Sequence, residues 1–420
     1  MARPEPVNNA AITLLFKAWS DPSRMLNHRF ITEYKDAASF VEGAVKFLQK
    51  FAKGKKVFCA LSGGIDSAAT YLLLKKAGID TLPVFIDHGL MRIIRGKEER
   101  EHIKKLFPDV RVIDIRSTFL PQIYAAGEDA ENKRKLFKKA YSETISNVIK
   151  GERCQLLADG TILPDIEESF GVKISDIKES MTTADEAKLL EKNKARFVKS
   201  QHNLSIEYDV EATVQPVASL IKDQVRAVLD YFKMPVELVY RKAFPGPALS
   251  ARIIGPVTEA NLAMEKQVHD IVESTVDDYY MKTHKKPLII NAAGEQEPFQ
   301  AFAAISDDVA TKKVTGLVNG ARTYDLPAIE KGKLDIDALV AKATRLEEKA
   351  RLFFEMAARD KGTYDVVIRS INSKDARTAS VTKLPAAVLD EIKEKMLKIP
   401  AIKRVYLDVT PKPPATIEYV

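Results

Sequence analysis

The stretch Val57-Phe58-Cys59-Ala60-Leu61-Ser62-Gly63-Gly64-Ile65-Asp66-Ser67 decides the fold. Its unbroken apolar start reads as a buried strand, Ser-Gly-Gly breaks the run, and residues 68–76 return apolar side chains at helical spacing through Ala69, Leu72 and Leu73. Strand, glycine loop and helix in this order make an anion cradle. The two glycines allow close backbone approach, the hydroxyls of Ser62 and Ser67 can donate, and free N–H groups at a helix start attract phosphate oxygens. Asp66 is the exception, because a carboxylate repels phosphate unless a divalent cation lies between them. It reads as a Mg2+ ligand, with capping of the helix as the structural alternative.

Upstream of this unit, Phe40, Val41, Ala44, Val45 and Leu48 share one helical face, and Lys53-Gly54-Lys55-Lys56 supplies a stop. Downstream, 81–87, 110–115, 155–159 and 213–216 read as strands, with helices at 98–106 and 133–150. Strands alternating with helices at this spacing imply right-handed crossovers and an α/β fold, a doubly wound parallel sheet. Such a sheet binds ligands beyond the carboxyl ends of its strands. Residues 170–196 are polar and too long for a simple connection, so a lid is expected there. A helix near 260–272, strands at 364–370 and 405–409 and a helix at 384–397 suggest a smaller α+β domain, with 338–356 as a charged helical segment. The expected organisation is a lead-in at 1–37, a first domain at 38–244 with a lid near 170–200, and a second at 245–420 with an insertion near 330–360.

Composition narrows the function. At 45% hydrophobic and 29% charged residues the chain is an ordinary globular one. No run approaches the ~18 apolar residues that span a bilayer, and the first twenty residues lack the pattern of a secretory signal, so a cytoplasmic protein is expected. The net charge of +7 is mild for 420 residues, with basic and acidic side chains interspersed, which argues against a nucleic-acid surface. Two cysteines, Cys59 and Cys154, lie in apolar runs and read as buried thiols, with no Cys/His spacing for a metal. Neither G-x-x-x-x-G-K-[ST] nor a strand-following G-x-G-x-x-G occurs, which excludes the common γ-phosphate and dinucleotide loops.

The Ser62–Ser67 loop resembles that of the pyrophosphate-loop ATPases, which split ATP between its α and β phosphates and adenylate an oxygen of a second substrate. Further motifs narrow the resemblance to the GMP synthetase family. Phe85-Ile86-Asp87-His88-Gly89-Leu90-Met91-Arg92 is similar to its adenosine-side strand and loop, and Gly160-Thr161-Ile162-Leu163-Pro164-Asp165 to its Gly-Thr-x-x-Pro-Asp segment. Lys199-Ser200-Gln201-His202-Asn203, Phe244-Pro245-Gly246-Pro247-Ala248-Leu249 and Lys412-Pro413-Pro414-Ala415-Thr416-Ile417-Glu418 follow in the family's order.

The resemblance implies an ATP pyrophosphatase domain followed by a domain that dimerises and helps bind xanthosine monophosphate (XMP). Adenylation of the xanthine 2-oxygen, release of pyrophosphate and displacement of AMP by ammonia would give GMP. ATP would meet Ser62, Gly63, Gly64, Asp66, Ser67, Phe85, Ile86, Gly160 and Thr161, with Mg2+ on Asp66. Lys199 would offset charge on the leaving pyrophosphate, and Asp165 would be a second metal or orienting carboxylate. Arg241 and Lys412 suit a nucleotide phosphate, while Gln300, Ile417 and Glu418 match substrate-side positions. The ordinary alternative for each of these charges is a solvated surface side chain.

Departures from the family pattern bear on activity. Only about 60 residues precede the loop, and neither cysteine is placed as a glutaminase nucleophile, so ammonia is expected from solution or from a separate glutamine amidotransferase subunit. Gln201 stands where the family has a histidine and cannot take up charge. Ala248 stands for a glycine, Arg377 for a methionine and Val420 for a glutamate. A related enzyme adenylating another purine or a tRNA base, and a catalytically silent nucleotide-binding homologue, are the competing readings.

Overall fold

The computed structural model describes residues 29–30, 34–170, 208–242, 244–287, 289–290, 296–297, 299–318, 321–346, 349–373 and 378–419. The expected lid near 170–200, with Lys199 and Gln201, lies outside the described residues, as do Arg377, Val420 and most of the lead-in. The chain divides into two compact units: Met1–Ile86 with Ile103–Ile113 and Tyr141–Arg241, and Asp87–His102 with 114–140 and Lys242–Val420. Two segments expected in the first domain, 87–102 and 114–140, thus group with the C-terminal part.

The first unit is organised by a parallel sheet. Its strands are β1 (Arg29–Phe30), β2 (Val57–Ala60), β3 (Thr81–Asp87), β4 (Arg111–Asp114), β5 (Leu156–Ala158) and β6 (Ala212–Gln215), in the order β1-β6-β5-β2-β3-β4. The register places Val57 opposite both Thr81 and Leu156, so β2 is central. From β2 the chain winds outward through β3 and β4, then returns to the other side for β5 and β6. The order reverses between β2 and β5, which makes the carboxyl ends of these two strands the switch point where a doubly wound sheet takes its ligand.

Helix α1 (Ala37–Ala52) forms because Asp36 caps it, its carboxylate accepting from Ser39 N at 2.8 Å, and because Phe40, Val41, Ala44 and Leu48 line one buried face. It stops at Lys53, followed by Gly54 at φ +81°. Helix α2 (Ile65–Lys76) follows the glycine loop, α3 (Leu163–Phe170) follows β5, and α4 (Lys222–Tyr231) follows β6. Each thus begins just after the carboxyl end of a strand.

The second unit is built on a mixed sheet of β7 (Phe299–Ser306), β10 (Ala328–Glu330), β11 (Leu352–Ala358), β12 (Tyr364–Asn372) and β13 (Ile402–Asp408), in the order β7-β12-β13-β11-β10; β8 (Val314–Val318) and β9 (Ala321–Asp325) form a separate hairpin. Alternate residues face opposite ways. Ala301, Ala303, Ile305, Val366, Ile368, Val405 and Leu407 join a core with Val268, Val272 and Val276 of helix α5 (Glu259–His284) and Val388, Leu389 and Ile392 of α6 (Ala386–Leu397). Phe302, Ala304, Val367 and Tyr406 pack on the other face with Phe353 and Tyr419.

The segment 338–356, read from sequence as one charged helix, divides into a helix at Ile336–Ala343 and β11. Leu352-Phe353-Phe354 is buried, and β11 lies between β13 and β10, so the 330–360 stretch supplies the sheet instead of interrupting it. The charges that suggested a helix belong to the connection before it. Buried Arg351 and Arg369 flank Asp408, with Nη1 to Oδ2 distances of 3.0 and 2.5 Å, and the Tyr419 hydroxyl donates to the same oxygen at 2.7 Å. Burial works against the Asp408 charge, and the two guanidiniums more than offset it, holding the carboxyl below its ordinary value.

Candidate active site

The cradle forms where the sequence places it. Gly63 takes φ +85°, a conformation that favours glycine, and turns the chain from β2 into α2. Gly64 is the N-cap of α2; its N–H donates to Ser62 Oγ at 3.3 Å, and the Ser67 hydroxyl donates to Gly64 O at 3.1 Å. Ser62 and Ser67 Oγ atoms are 3.2 Å apart. Both hydroxyls and the N–H groups of the first α2 turn therefore belong to one small loop, a geometry suited to phosphate oxygens.

Gly160, at the end of β5, is packed directly on this loop. A Cβ there would lie 2.8 Å from Ser67 N and 3.0 Å from Asp66 C, so only glycine fits without moving the start of α2. Thr161 next to it donates to Asp159 Oδ2 at 3.1 Å. Asp165 Oδ2 accepts from Ile162 N at 3.0 Å, which caps the start of α3 and gives this carboxylate a structural task. Leu163 N in turn donates to Leu220 O at 3.0 Å, tying the start of α3 to the segment before α4. Phe85 and Ile86 are buried on β3, so what they can offer a nucleotide is backbone.

Sequence reasoning missed Lys222, the first residue of α4. Its ammonium donates to Asp66 Oδ2, across 156 residues of sequence. The other oxygen, Asp66 Oδ1, is buried and accepts no hydrogen bond. A lysine at the head of a helix after a parallel strand was the available signal, but its partner is set by the fold alone. No group of three or more His, Cys, Asp or Glu side chains among the described residues forms a ready-made metal site. Asp66 nonetheless fits Mg2+, which is commonly held by one or two carboxylates with the remaining positions filled by phosphate oxygens and water.

Arg241 closes the first unit, its N–H donating to Leu238 O at 3.1 Å. The remaining expected substrate residues lie in the second unit. Glu418 is the best defined: its carboxylate accepts from Arg134 Nη2 at 2.7 Å and from Arg322 Nη2 at 3.5 Å, and its main-chain oxygen accepts from Arg351 at 2.5 Å. Arg134, within the basic run Lys133-Arg134-Lys135, and Arg322 were not singled out by sequence. Lys412 is half-buried and pairs by backbone with Ala379, in both directions, at 2.9 and 2.8 Å. Ile417 packs beside the Phe353–Tyr419 cluster. Gln300 stands on β7 opposite Ile371, with its side-chain oxygen buried and accepting no hydrogen bond.

Ala248 takes φ +55°, the left-handed region in which the glycine expected there is unstrained. Both cysteines are buried, and burial pushes each thiol above its ordinary value, so neither is an activated nucleophile.

A glycine loop at the switch point of a doubly wound sheet, followed by a second unit with a charge network at its C-terminal end, is the arrangement of an α/β protein with a loop suited to anions. Residues 355–419 match the GMP synthase C terminal domain family. The chain is 29% identical over 399 residues to a subunit of glutamine-hydrolyzing GMP synthase from Saccharolobus solfataricus, covering 91% of this chain and 99% of that protein. The protein of the same name from Methanococcus vannielii is 29% identical over 392 residues, with the same coverage. Among solved structures, NMN synthetase from Francisella tularensis aligns at 14% identity and a TM-score of 0.35, covering 62% of this chain and 90% of that one. The chain is similar to these GMP synthase subunits over nearly their whole length.

Proposed function

We propose that this chain is the ATP pyrophosphatase subunit of a GMP synthase: it adenylates XMP with ATP and lets ammonia displace AMP, giving GMP, AMP and pyrophosphate. The observation that carries this reading is the Ser62–Ser67 cradle at the switch point, closed against Gly160. The GMP synthase relatives and the C-terminal family match supply the acceptor.

In this reading Ser62, Ser67 and the first N–H groups of α2 hold the pyrophosphate part of ATP. Asp66 holds Mg2+, which when bound draws off charge from the leaving pyrophosphate. Lys199 adds a second positive charge there. Gly160 and Thr161 border the loop, and the backbone of Phe85 and Ile86 lies along the adenosine. Lys412 and Arg241 are cations suited to a nucleotide phosphate, Gln300 and Ile417 border the purine, and Glu418 accepts from it. Arg134 and Arg322 donate to the Glu418 carboxylate and keep it aimed.

The relatives are named as one subunit of a glutamine-hydrolysing enzyme, and the match covers 99% of their length. In this reading ammonia comes from a separate glutamine amidotransferase subunit. The chain works as a homodimer in the cytoplasm. None of the helices among the described residues is long and apolar enough to cross a membrane. The test is to supply the purified chain with ATP, Mg2+ and XMP and either ammonium or glutamine. Ammonium supports GMP formation and glutamine does not; glutamine-supported turnover by the chain alone would refute the separate ammonia source.

A further inference from the structure

Lys222 is a cation placed on the anion cradle, engaged with Asp66 Oδ2. Both groups keep solvent contact, with side-chain exposures of 42% for Lys222 and 21% for Asp66, so the pair is not sealed in the core and can be exchanged for other partners. Lys222 heads α4 and Asp66 lies in the first turn of α2. The carboxylate therefore has two sources of positive potential, the lysine and the α2 N-terminus, and it cancels both toward an incoming anion. Its second oxygen, Oδ1, is buried with no donor, so one lone-pair site is left for a cation while Oδ2 is occupied.

From this arrangement we infer that Lys222 is an exchangeable counter-ion of the pyrophosphate site: it neutralises Asp66 before ligand binds and transfers to the pyrophosphate oxygens when a divalent cation takes Asp66. The inference rests on the ATP reading above and adds a binding residue and an order of events to it. Without the divalent ion, a pyrophosphate group meets the Asp66 carboxylate and a lysine already in use. With it, the carboxylate is satisfied by the metal and the lysine is released to the anion. Metal and pyrophosphate should therefore bind with positive coupling that passes through Lys222.

The test is binding of inorganic pyrophosphate to the full chain by calorimetry, in EDTA and in Mg2+, for the wild type, Asp66→Asn, Lys222→Gln and the double variant. In EDTA, Asp66→Asn should bind pyrophosphate about tenfold more tightly than wild type, because the lysine is freed. Removal of the carboxylate charge alone would also help an anion, so the double variant decides. The gain must vanish when Lys222→Gln is added. A gain of the same size in both backgrounds would overturn the exchange. If the wild type in Mg2+ binds no pyrophosphate at all, it is the ATP reading that fails. Should Lys222→Gln not fold, acetylation of Lys222 followed by mass spectrometry replaces it: labelling rises in Asp66→Asn if the pair holds the lysine, and an unchanged rate refutes the pairing.

Discussion

Gly160→Ala is the most informative single perturbation of the cradle. The added Cβ would stand 2.8 Å from Ser67 N, 3.0 Å from Asp66 C and 3.1 Å from Ser67 Cα. Ordinary contact begins near 3.4 Å, so the end of β5 and the start of α2 must separate by about 0.6 Å. All three atoms are main chain at the phosphate-binding turn, so no side-chain rotation relieves the clash. Overpacking of this kind costs about 1–3 kcal/mol of stability. Displacement of a binding loop by a sizeable fraction of an ångström lowers kcat/KM by about 10²-fold. The assay is XMP-dependent pyrophosphate release, with urea unfolding measured in parallel. Gly151→Ala is the control: it lies in the helix Ala130–Glu152 with no atom within 4 Å of the new Cβ. It should raise stability by about 0.5–1 kcal/mol and leave activity unchanged. Wild-type activity and stability in Gly160→Ala would refute the close packing of the two loops and the placement of the site on it.

Other expectations follow from buried charge. Asp408→Asn leaves Arg351 and Arg369 buried without their shared carboxylate and should destabilise the second unit by about 3–5 kcal/mol, read from urea unfolding. His88 and His269 are buried, and burial, with Lys266 near the first and Arg252 near the second, lowers their pKa values from 6.5 to about 3 and about 4. Both stay neutral in the folded chain where the unfolded chain takes up protons. Their contribution is complete above pH 6.5 and is lost as pH falls toward 4 and 3. Between pH 7.5 and 5 this should remove about 2 kcal/mol per histidine, and flat unfolding midpoints over that range would contradict it. Asp66→Ala should abolish turnover while circular dichroism shows a folded protein.

Much of the first unit was legible because its signals are local. The β2 run, the Gly63-Gly64 break and the α2 spacing are contiguous, and the structure shifts their boundaries by only a few residues. The second unit was less so. Strand β7, Phe-Gln-Ala-Phe-Ala-Ala-Ile-Ser, packs Ala301, Ala303 and Ile305 on one face and Phe302 and Ala304 on the other, and shows no two-residue polar alternation. Strand β11 was hidden behind a charged connection that suggested a continuing helix. At the site, Ser62–Ser67 was readable from type and spacing, and Gly160 only from the resemblance to the GMP synthetase family. Lys222, Arg134 and Arg322 were not, because each acquires its partner across about a hundred residues or more: Asp66 for Lys222, Glu418 for the two arginines.

If this chain activates XMP by adenylation on the Ser62–Ser67 loop, the purified chain incubated with ATP, Mg2+ and ammonium, with and without XMP, will form AMP, pyrophosphate and GMP in equal amounts and only when XMP is present. Pyrophosphate release that ignores XMP, or XMP-dependent release that yields no GMP, would contradict it.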